Sequence, residues 1–168
     1  MVIPISIESM NYPVTPAIRV LREKKIFFTP HVFEYVEKGG TRHSARELGV
    51  DEHAVVKTLI FETNEKKPLI VLMHGDLQVS AKNLARHLGV KSAAPAAPEK
   101  ASKLTGYMVG GTSPFGVKTR MPVYAEKTIF GLERIYINGG KRGFLIAIEP
   151  RVLRDVLQVE EVEVAIKD

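Results

Sequence analysis

Two glycine-rich stretches and one lysine are the parts of this 168-residue sequence whose residue types could do chemistry. Residues 110–116 read Gly-Gly-Thr-Ser-Pro-Phe-Gly, with three glycines, one proline and two hydroxyl side chains. Because glycine lets the backbone approach a bound group closely, such a loop can present several N–H groups to one oxygen-rich ligand, as an anion nest or an oxyanion hole does. The alternative is a structural connector between two strands.

The second stretch, residues 139–143, reads Gly-Gly-Lys-Arg-Gly and lies between two apolar runs. Its backbone and its two cations could grip a phosphate group, or the stretch could be a tight hairpin with exposed charges. Neither stretch has the spacing of a Walker loop or of a dinucleotide-binding fingerprint, so neither is predicted to bind a nucleotide in those ways.

Lys57 lies in the middle of an apolar run, residues 55–61. A lysine in such a place is commonly the solvent-facing residue of a half-exposed strand. A partly buried lysine would instead be an electrostatic anchor for a carbonyl or phosphate oxygen. The pattern alone leaves both interpretations open.

The rest of the composition excludes several kinds of site. The chain has no cysteine, which rules out disulfides, thiolate metal sites and a cysteine nucleophile. Its five histidines form no recognised zinc-binding pattern, and no Gly-x-Ser-x-Gly motif is present. We therefore expect no metal, no cofactor and no serine nucleophile. An enzyme built from these residues would work by positioning and electrostatics.

Charge and hydropathy suggest an anionic partner and no membrane. Lysine and arginine exceed aspartate and glutamate by 24 to 19, a net charge of +5. No apolar run approaches the ~20 residues that cross a bilayer, and residues 1–14 lack the basic region of a signal peptide, so we expect a cytoplasmic protein. Residues 1–14 are expected to be a short leader, and residues 15–168 a single domain.

Helical and extended patterns intermix along the chain. Helices are predicted after Thr15, at 45–48, after Ser80, at 99–104 and from Pro150, and the Ala/Pro-rich residues 92–98 are predicted to be a loop. Extended segments are predicted at 27–35, 55–61, 68–73, 122–125, 134–137, 144–148 and 162–164. Because no regular βαβ rhythm appears, we expect an α+β fold with a mixed, largely antiparallel sheet or an irregular barrel and surrounding helices.

Three segments carry a resemblance to a known family. They are residues 56–59 (Val-Lys-Thr-Leu), 105–116 (Thr-Gly-Tyr-Met-Val followed by the first glycine stretch) and 135–143 (Ile-Tyr-Ile-Asn followed by the second). In this order and spacing they resemble the YbaK/EbsC family of aminoacyl-tRNA deacylases, from about Thr15 to the C-terminus. The resemblance implies a compact α+β editing domain of the prolyl-tRNA editing type, which hydrolyses mischarged tRNA in trans, most typically Cys-tRNA(Pro).

The resemblance also implies roles for individual residues. Lys57 would anchor the aminoacyl-adenosine end of the tRNA, and backbone N–H groups of Gly110, Gly111 and Thr112 would lie against the scissile ester. Substrate contacts are implied for Phe33, Ser113, Pro114, Phe115, Gly116, Asn138, Gly139, Gly140, Lys141 and Arg142. In Cys-specific members the substrate's own thiol is thought to attack its ester, which removes the need for a protein nucleophile.

Two positions depart from the Cys-specific pattern. Where those members carry a tyrosine after the first helix and an aspartate after the second glycine stretch, this chain has Phe33 and Leu145. The resemblance thus implies a deacylase with a less polar pocket, acting on Cys-tRNA(Pro) or on tRNA charged with alanine or another small residue. The alternatives are a non-catalytic tRNA-binding module, which could associate with prolyl-tRNA synthetase, and a hydrolase of an unrelated small ester.

Overall fold

Residues 11–167 are described in the computed structural model of the protein, and five α-helices lie in that range. They span Pro16–Glu23 (α1), Gly40–Leu48 (α2), Ala81–Leu88 (α3), Pro98–Thr105 (α4) and Arg151–Leu157 (α5). Two caps follow from the sequence: the hydroxyl oxygens of Thr15 and Ser80 each accept a hydrogen bond from a first-turn N–H, at 3.2 and 3.1 Å. None of these helices is long and apolar enough to cross a membrane.

The strands of the described range form one large sheet and one small one. They span Thr29–Val32 (β1), Val55–Thr63 (β2), Pro68–His74 (β3), Gln78–Val79 (β4), Ala93–Pro95 (β5), Val123–Glu126 (β6), Ile135–Lys141 (β7), Phe144–Ile148 (β8), Glu160–Val162 (β9) and Ala165–Ile166 (β10). The large sheet has the order β1-β8-β7-β2-β3-β6-β9 with β5 added to β2, and β4 pairs with β10.

Parallel and antiparallel pairs coexist in the large sheet. The pairs β2–β7, β3–β6 and β6–β9 are parallel, whereas β1–β8, β7–β8, β2–β3 and β2–β5 are antiparallel. The predicted α+β fold with a mixed, largely antiparallel sheet is therefore confirmed. The strand order of the described residues does not return to β1, so the sheet stays open and the barrel alternative is not adopted.

Both faces of the sheet are buried, because helices cover each of them. The main core lies on one face and contains Ile18 of α1 and Leu153 of α5. On the other face Leu84 of α3 packs in a second cluster, and Ala45 of α2 in a third. Alternate residues of β3 belong to the first two clusters, which explains its almost wholly apolar sequence.

Two local predictions are wrong. Residues 93–95, assigned to a loop, form β5 along the end of β2, where an edge position tolerates the proline. The second helix begins at Gly40, earlier than predicted, and its N-cap residue is Gly39, which has no side chain that could cap the helix. Thr41, in the first turn of this helix, donates its hydroxyl to Glu52 Oε2 at 2.7 Å.

The expected leader is partly packed onto the core. Tyr12 stacks on Phe144 with ring centroids 6.0 Å apart, and its hydroxyl accepts a hydrogen bond from Arg22 at 2.8 Å. This aromatic contact holds the chain at Tyr12 against the molecule. The first ten residues of the expected leader lie outside the described residues.

Candidate functional site

The two glycine-rich stretches lie against each other, joined by the side chain of Asn138 on β7. Its Nδ2 donates to the Gly110 carbonyl at 3.2 Å. Its Oδ1 accepts from the backbone N–H groups of Gly140 at 2.7 Å and Lys141 at 3.1 Å. One amide therefore fixes the second stretch and holds the first stretch beside it.

Close contact between the two backbones depends on glycine at two positions. A Cβ at Gly111 would lie 2.7 Å from Arg142 N and 2.9 Å from the Lys141 carbonyl carbon, so any side chain there would push the stretches apart. Gly110 has a φ of +87°, in the left-handed region that favours glycine. A Cβ there would also lie 2.9 Å from Tyr35 Oη.

The first stretch presents fewer backbone donors than the sequence predicts. The Gly111 N–H is bonded to the Met108 carbonyl at 2.9 Å, so it already has an acceptor within the loop, and its predicted contribution to an oxyanion hole stays a prediction. Within residues 11–167, no protein acceptor bonds the N–H of Gly110 or of Thr112. These two N–H groups are the donors that the loop can offer a ligand.

The second half of this stretch has a structural role. Ser113 and Phe115 are fully buried, and Pro114 is buried as well. The Ser113 Oγ accepts from Phe115 N at 3.2 Å, and the Phe115 ring lies in the main core. Core packing holds these three residues in the structure, and their predicted substrate contacts stay a prediction. Gly116 packs on the start of α1, where a Cβ would lie 2.7 Å from the Pro16 carbonyl carbon.

Two buried groups hold the glycine stretches from the core side. The Tyr107 hydroxyl donates to the Phe115 carbonyl at 2.6 Å, and burial raises the pKa of Tyr107 to about 12, so it stays a donor at neutral pH. Its ring lies 2.8 Å from where a Cβ of Gly140 would be. The Thr15 hydroxyl donates to the Gly139 carbonyl. Gly139 and the Cα of Gly140 therefore pack against the core, while the Gly140 N–H is bonded to Asn138.

Lys141 and Arg142 are the exposed side chains of the second stretch. β7 and β8 form a hairpin whose register shifts at residues 139–140, which makes a bulge. The hairpin interpretation is thus confirmed for the backbone. The Arg142 Nε donates to the Val109 carbonyl at 2.8 Å, which gives the two stretches a second link.

Lys57 is half-buried on β2, and its Nζ donates to the Leu77 carbonyl at 2.6 Å. In the parallel pair β2–β7, Val56 is opposite Ile137, so the next residues, Lys57 and Asn138, occupy adjacent positions on the same face of the sheet. Neighbouring strands lie about 5 Å apart. The structure therefore brings the partly exposed Lys57 beside the amide that joins the glycine stretches.

The two residues that depart from the Cys-specific pattern are neighbours in this site. Leu145 is opposite Asn138 in the β7–β8 pair and is buried. Phe33 is half-buried and packs in the same small apolar cluster as Leu145, which Ala45 of α2 covers. Together they place hydrocarbon next to the polar pair Asn138 and Lys57.

Three ligand-type side chains elsewhere, His53, His74 and Asp76, lie close together. The two imidazole rings are stacked, with centroids 3.7 Å apart and 6° between their planes. Imidazole directs its lone pair in the plane of the ring, so stacked rings cannot both point at one ion. Both nitrogens of buried His74 also have partners, the His53 carbonyl at 2.7 Å and Thr128 Oγ1 at 2.6 Å. We therefore assign this cluster a structural role.

Tyr35 is a site neighbour that the sequence analysis did not single out. The Arg142 guanidinium carbon lies 5.0 Å from the Tyr35 ring centroid, and the Tyr35 hydroxyl lies against Gly110. The available signal was parity, because Tyr35 follows Phe33 by two residues and an extended segment turns both to one side.

This arrangement can stabilise negative charge without a protein nucleophile. A ligand oxygen that lies against residues 110–112 could accept hydrogen bonds from the N–H groups of Gly110 and Thr112. The positive charge of Lys57, on β2 next to β7, would add to the stabilisation of negative charge on that oxygen. Ser113, the hydroxyl next in sequence, is fully buried and bonded. The attacking group would therefore come from the substrate or from water.

The chain belongs to the aminoacyl-tRNA editing domain family. The family profile matches residues 40–156, which include the strand of Lys57 and both glycine stretches. The resemblance to YbaK-like editing domains is thereby confirmed.

Individual relatives agree with this assignment. EbsC of Enterococcus faecalis, named as a Cys-tRNA(Pro)/Cys-tRNA(Cys) deacylase, is 26% identical over 155 residues, 92% of this chain and 94% of the relative. A proline–tRNA ligase of Ligilactobacillus salivarius is 31% identical over 100 residues, 60% of this chain but 17% of the ligase. A solved structure described as a trans-editing enzyme for prolyl-tRNA synthetase superposes with a TM-score of 0.78 at 21% identity, covering 93% of this chain and 99% of that one. The names of these relatives support a hydrolase-type deacylase, and the superposition shows the fold.

Proposed function

We propose that the protein removes wrongly attached amino acids from tRNA in trans, with Cys-tRNA(Pro) as its leading substrate. The observation that carries this proposal is the position of Lys57 beside Asn138, whose amide holds Gly110, in a chain of the editing family. The likeness to EbsC over 92% of the chain supports cysteine as the amino acid, because that relative is named for it.

In the proposed complex the ester of the 3′-terminal adenosine lies against residues 110–112. The N–H groups of Gly110 and Thr112 donate to the carbonyl oxygen, whose negative charge grows as the carbonyl carbon becomes tetrahedral. Lys57 binds the terminal phosphate or the ester region. Lys141 and Arg142, both exposed, attract the acceptor end.

A cysteinyl substrate would supply its own nucleophile. Its sulfur attacks the ester carbonyl carbon, the bond from that carbon to the ribose oxygen breaks, and the ribose oxygen takes up the proton that the thiol lost. The products are a cyclic thiolactone and a tRNA with a free terminal hydroxyl. This route suits a site in which the nearby Ser113 is buried and the chain has no cysteine.

Alanine is the second candidate amino acid, and the apolar cluster that includes Phe33 and Leu145 favours it. Hydrocarbon at these positions suits a methyl side chain and gives a substrate thiol no polar partner. Alanine has no internal nucleophile, so water would attack the ester carbonyl and free alanine would be released.

A deacylation panel tests both candidates. Purified protein is incubated separately with Cys-tRNA(Pro), Ala-tRNA(Pro) and Pro-tRNA(Pro), and the ester remaining on the tRNA is measured over time. Rapid loss from Cys-tRNA(Pro), with a thiolactone in the mass spectrum, supports the leading proposal, and selective loss from Ala-tRNA(Pro) supports the second. Binding of tRNA without hydrolysis of any substrate would show a non-catalytic module instead.

We further propose that the protein works in the cytoplasm, together with prolyl-tRNA synthetase. Support comes from the similar segment in a proline–tRNA ligase, which is 31% identical over 100 residues. Co-purification of the tagged protein with the synthetase, with and without added tRNA(Pro), tests this association.

A further inference from the structure

Arg142 stands out among the exposed cations near the site, because a ring and a carbonyl hold its guanidinium. Its Cζ lies 5.0 Å from the Tyr35 ring centroid, and its Nε donates to the Val109 carbonyl at 2.8 Å. Within residues 11–167, no carboxylate forms a salt bridge with Arg142. The guanidinium plane is therefore fixed in orientation while its positive charge is not neutralised by an acid.

A second arginine stacked on a ring shows the contrast. The Arg154 guanidinium carbon lies 3.8 Å from the Phe130 ring centroid, but Arg154 also donates to Glu161 at 3.1 Å. Its charge is thus paired. The stack at Arg142 differs in that its charge stays available for an anionic partner.

Apolar side chains surround the Arg142 stack. Met108 is 64% exposed and Val109 is 49% exposed, although both are large and apolar. We call this surface the Tyr35–Arg142 platform, formed by Tyr35, Arg142, Met108 and Val109. A flat cation with an apolar border suits a ligand that is flat, has an apolar face and belongs to a polyanion.

We propose that the Tyr35–Arg142 platform stacks the terminal adenine of the tRNA, with the Arg142 guanidinium against the base. This inference rests on the proposed function, because it takes the ester to lie at residues 110–112. The terminal adenine is attached to the same ribose as that ester, so it is the base that comes nearest to Gly110. Unpaired RNA bases are commonly bound by stacking on aromatic rings and on guanidinium planes.

Binding of two RNA hairpins that carry no amino acid tests the proposal without relying on catalysis. Both carry a 5′ fluorophore and an acceptor-like stem. One ends in CCA, and in the other the terminal nucleotide lacks its base. By fluorescence anisotropy, the wild-type protein should bind the CCA hairpin about tenfold more tightly than the abasic one. R142K keeps the positive charge but removes the planar guanidinium group, so this substitution should abolish the preference for the CCA hairpin. Y35F should retain the preference, whereas Y35L should lose it.

R154A is the matched control, since it removes an arginine–aromatic stack elsewhere, and its preference should equal that of the wild type. Equal binding of both hairpins by the wild type, no binding of either, or a full preference in R142K would overturn the platform. The two proposals fail separately. If the protein prefers the CCA hairpin but deacylates no substrate, the platform is supported and the deacylase function is rejected. If it deacylates a substrate but binds both hairpins equally, the deacylase function is supported and the platform is rejected.

Discussion

At the scale of single residues, Lys57 is the side chain on which the proposed chemistry depends most. It is half-buried beside Asn138, and its ammonium donates to Leu77 O. Lys57→Met keeps the length of the side chain and removes the charge. We expect kcat/KM for the preferred aminoacyl-tRNA to fall ~100-fold, as when one preorganised transition-state contact is lost. Lys66→Met removes an exposed lysine from the β2–β3 turn and should change nothing. Unaltered turnover by a folded Lys57→Met protein would contradict the assignment.

Gly111 gives a steric test of the contact between the two stretches. A Cβ at this position would meet backbone atoms of Arg142 and Lys141 at 2.7 and 2.9 Å, which a rotamer change cannot relieve. Gly111→Ala should therefore separate the stretches and lower kcat/KM at least tenfold, with a small decrease in melting temperature. Gly131→Ala is the control, because a Cβ there would meet nothing within 4 Å. Equal activity of the two variants would show that the contact does not matter for turnover.

At the scale of elements, the β7–β8 hairpin positions the first stretch through one amide, so Asn138 can be varied in two steps. Asn138→Asp keeps an acceptor for the Gly140 and Lys141 N–H groups but loses the donor to the Gly110 carbonyl. Asn138→Ala loses all three bonds. We expect both variants to lose activity, but only Asn138→Ala to lose about 1–3 kcal/mol of unfolding free energy, as partly buried N–H groups lose their acceptor. Urea unfolding and deacylation rates check this. Equal stability of the two variants would contradict it.

Glu126, at the end of β6, joins the last strands of the chain and should make stability pH-dependent. Its buried carboxyl accepts from Val164 N at 2.6 Å and Ala165 N at 3.1 Å. Burial raises the pKa of Glu126 above 4.5, so the folded protein binds this proton more tightly than the unfolded chain does. The stabilisation that protonated Glu126 adds to the free energy of unfolding is therefore complete below about pH 4.5. It is lost as the pH rises through the pKa of Glu126 in the folded protein.

The prediction for Glu126 is a change in the pH profile. Glu126→Gln keeps an acceptor oxygen and cannot ionise, so the free energy of unfolding should depend less on pH between about 4.5 and neutrality. Urea unfolding across this range measures the effect, with exposed Glu149→Gln as the control. Parallel profiles for Glu126→Gln and the wild type would refute the assignment.

Local elements were predictable from sequence, whereas the packing of the site was not. The caps at Thr15 and Ser80 and the apolar run of β2 depend on neighbouring residues, so their patterns are visible in the sequence. The hydrogen bond between Asn138 and Gly110, 28 residues apart, depends on the tertiary fold, and the family resemblance implied only that both residues lie at one site. The burial of Phe115 depends on the main core, and no local pattern distinguishes a loop phenylalanine that binds substrate from one that anchors the loop.

At the scale of the whole molecule, the first glycine stretch connects the two faces of the sheet. Phe115 lies in the main core with α1 and α5, while Gly110 is bonded to Asn138, which shares its face with Lys57. The loop that offers the proposed donors is therefore anchored by the largest apolar cluster of the described chain. Strong anchoring at one end lets the short segment of residues 110–112 stay fixed although few contacts hold it.

The charge of the whole chain predicts salt-sensitive recognition of tRNA. The net charge is +5, and the exposed cations Lys82, Arg86 and Lys91 line one groove along α3, on the face of the sheet that also carries Lys57. If two phosphates are neutralised, kcat/KM for aminoacyl-tRNA should fall about tenfold between 50 and 200 mM salt.

Variants and a shorter substrate test this prediction. Replacing Lys82 and Arg86 with glutamate should reduce the salt dependence, whereas replacing Lys66 and Lys67, in the β2–β3 turn, with glutamate should not. A short aminoacylated oligonucleotide, which has fewer phosphates, should lose less activity with salt. An equal salt dependence for both substrates would mean that the positive surface attracts only the 3′ end.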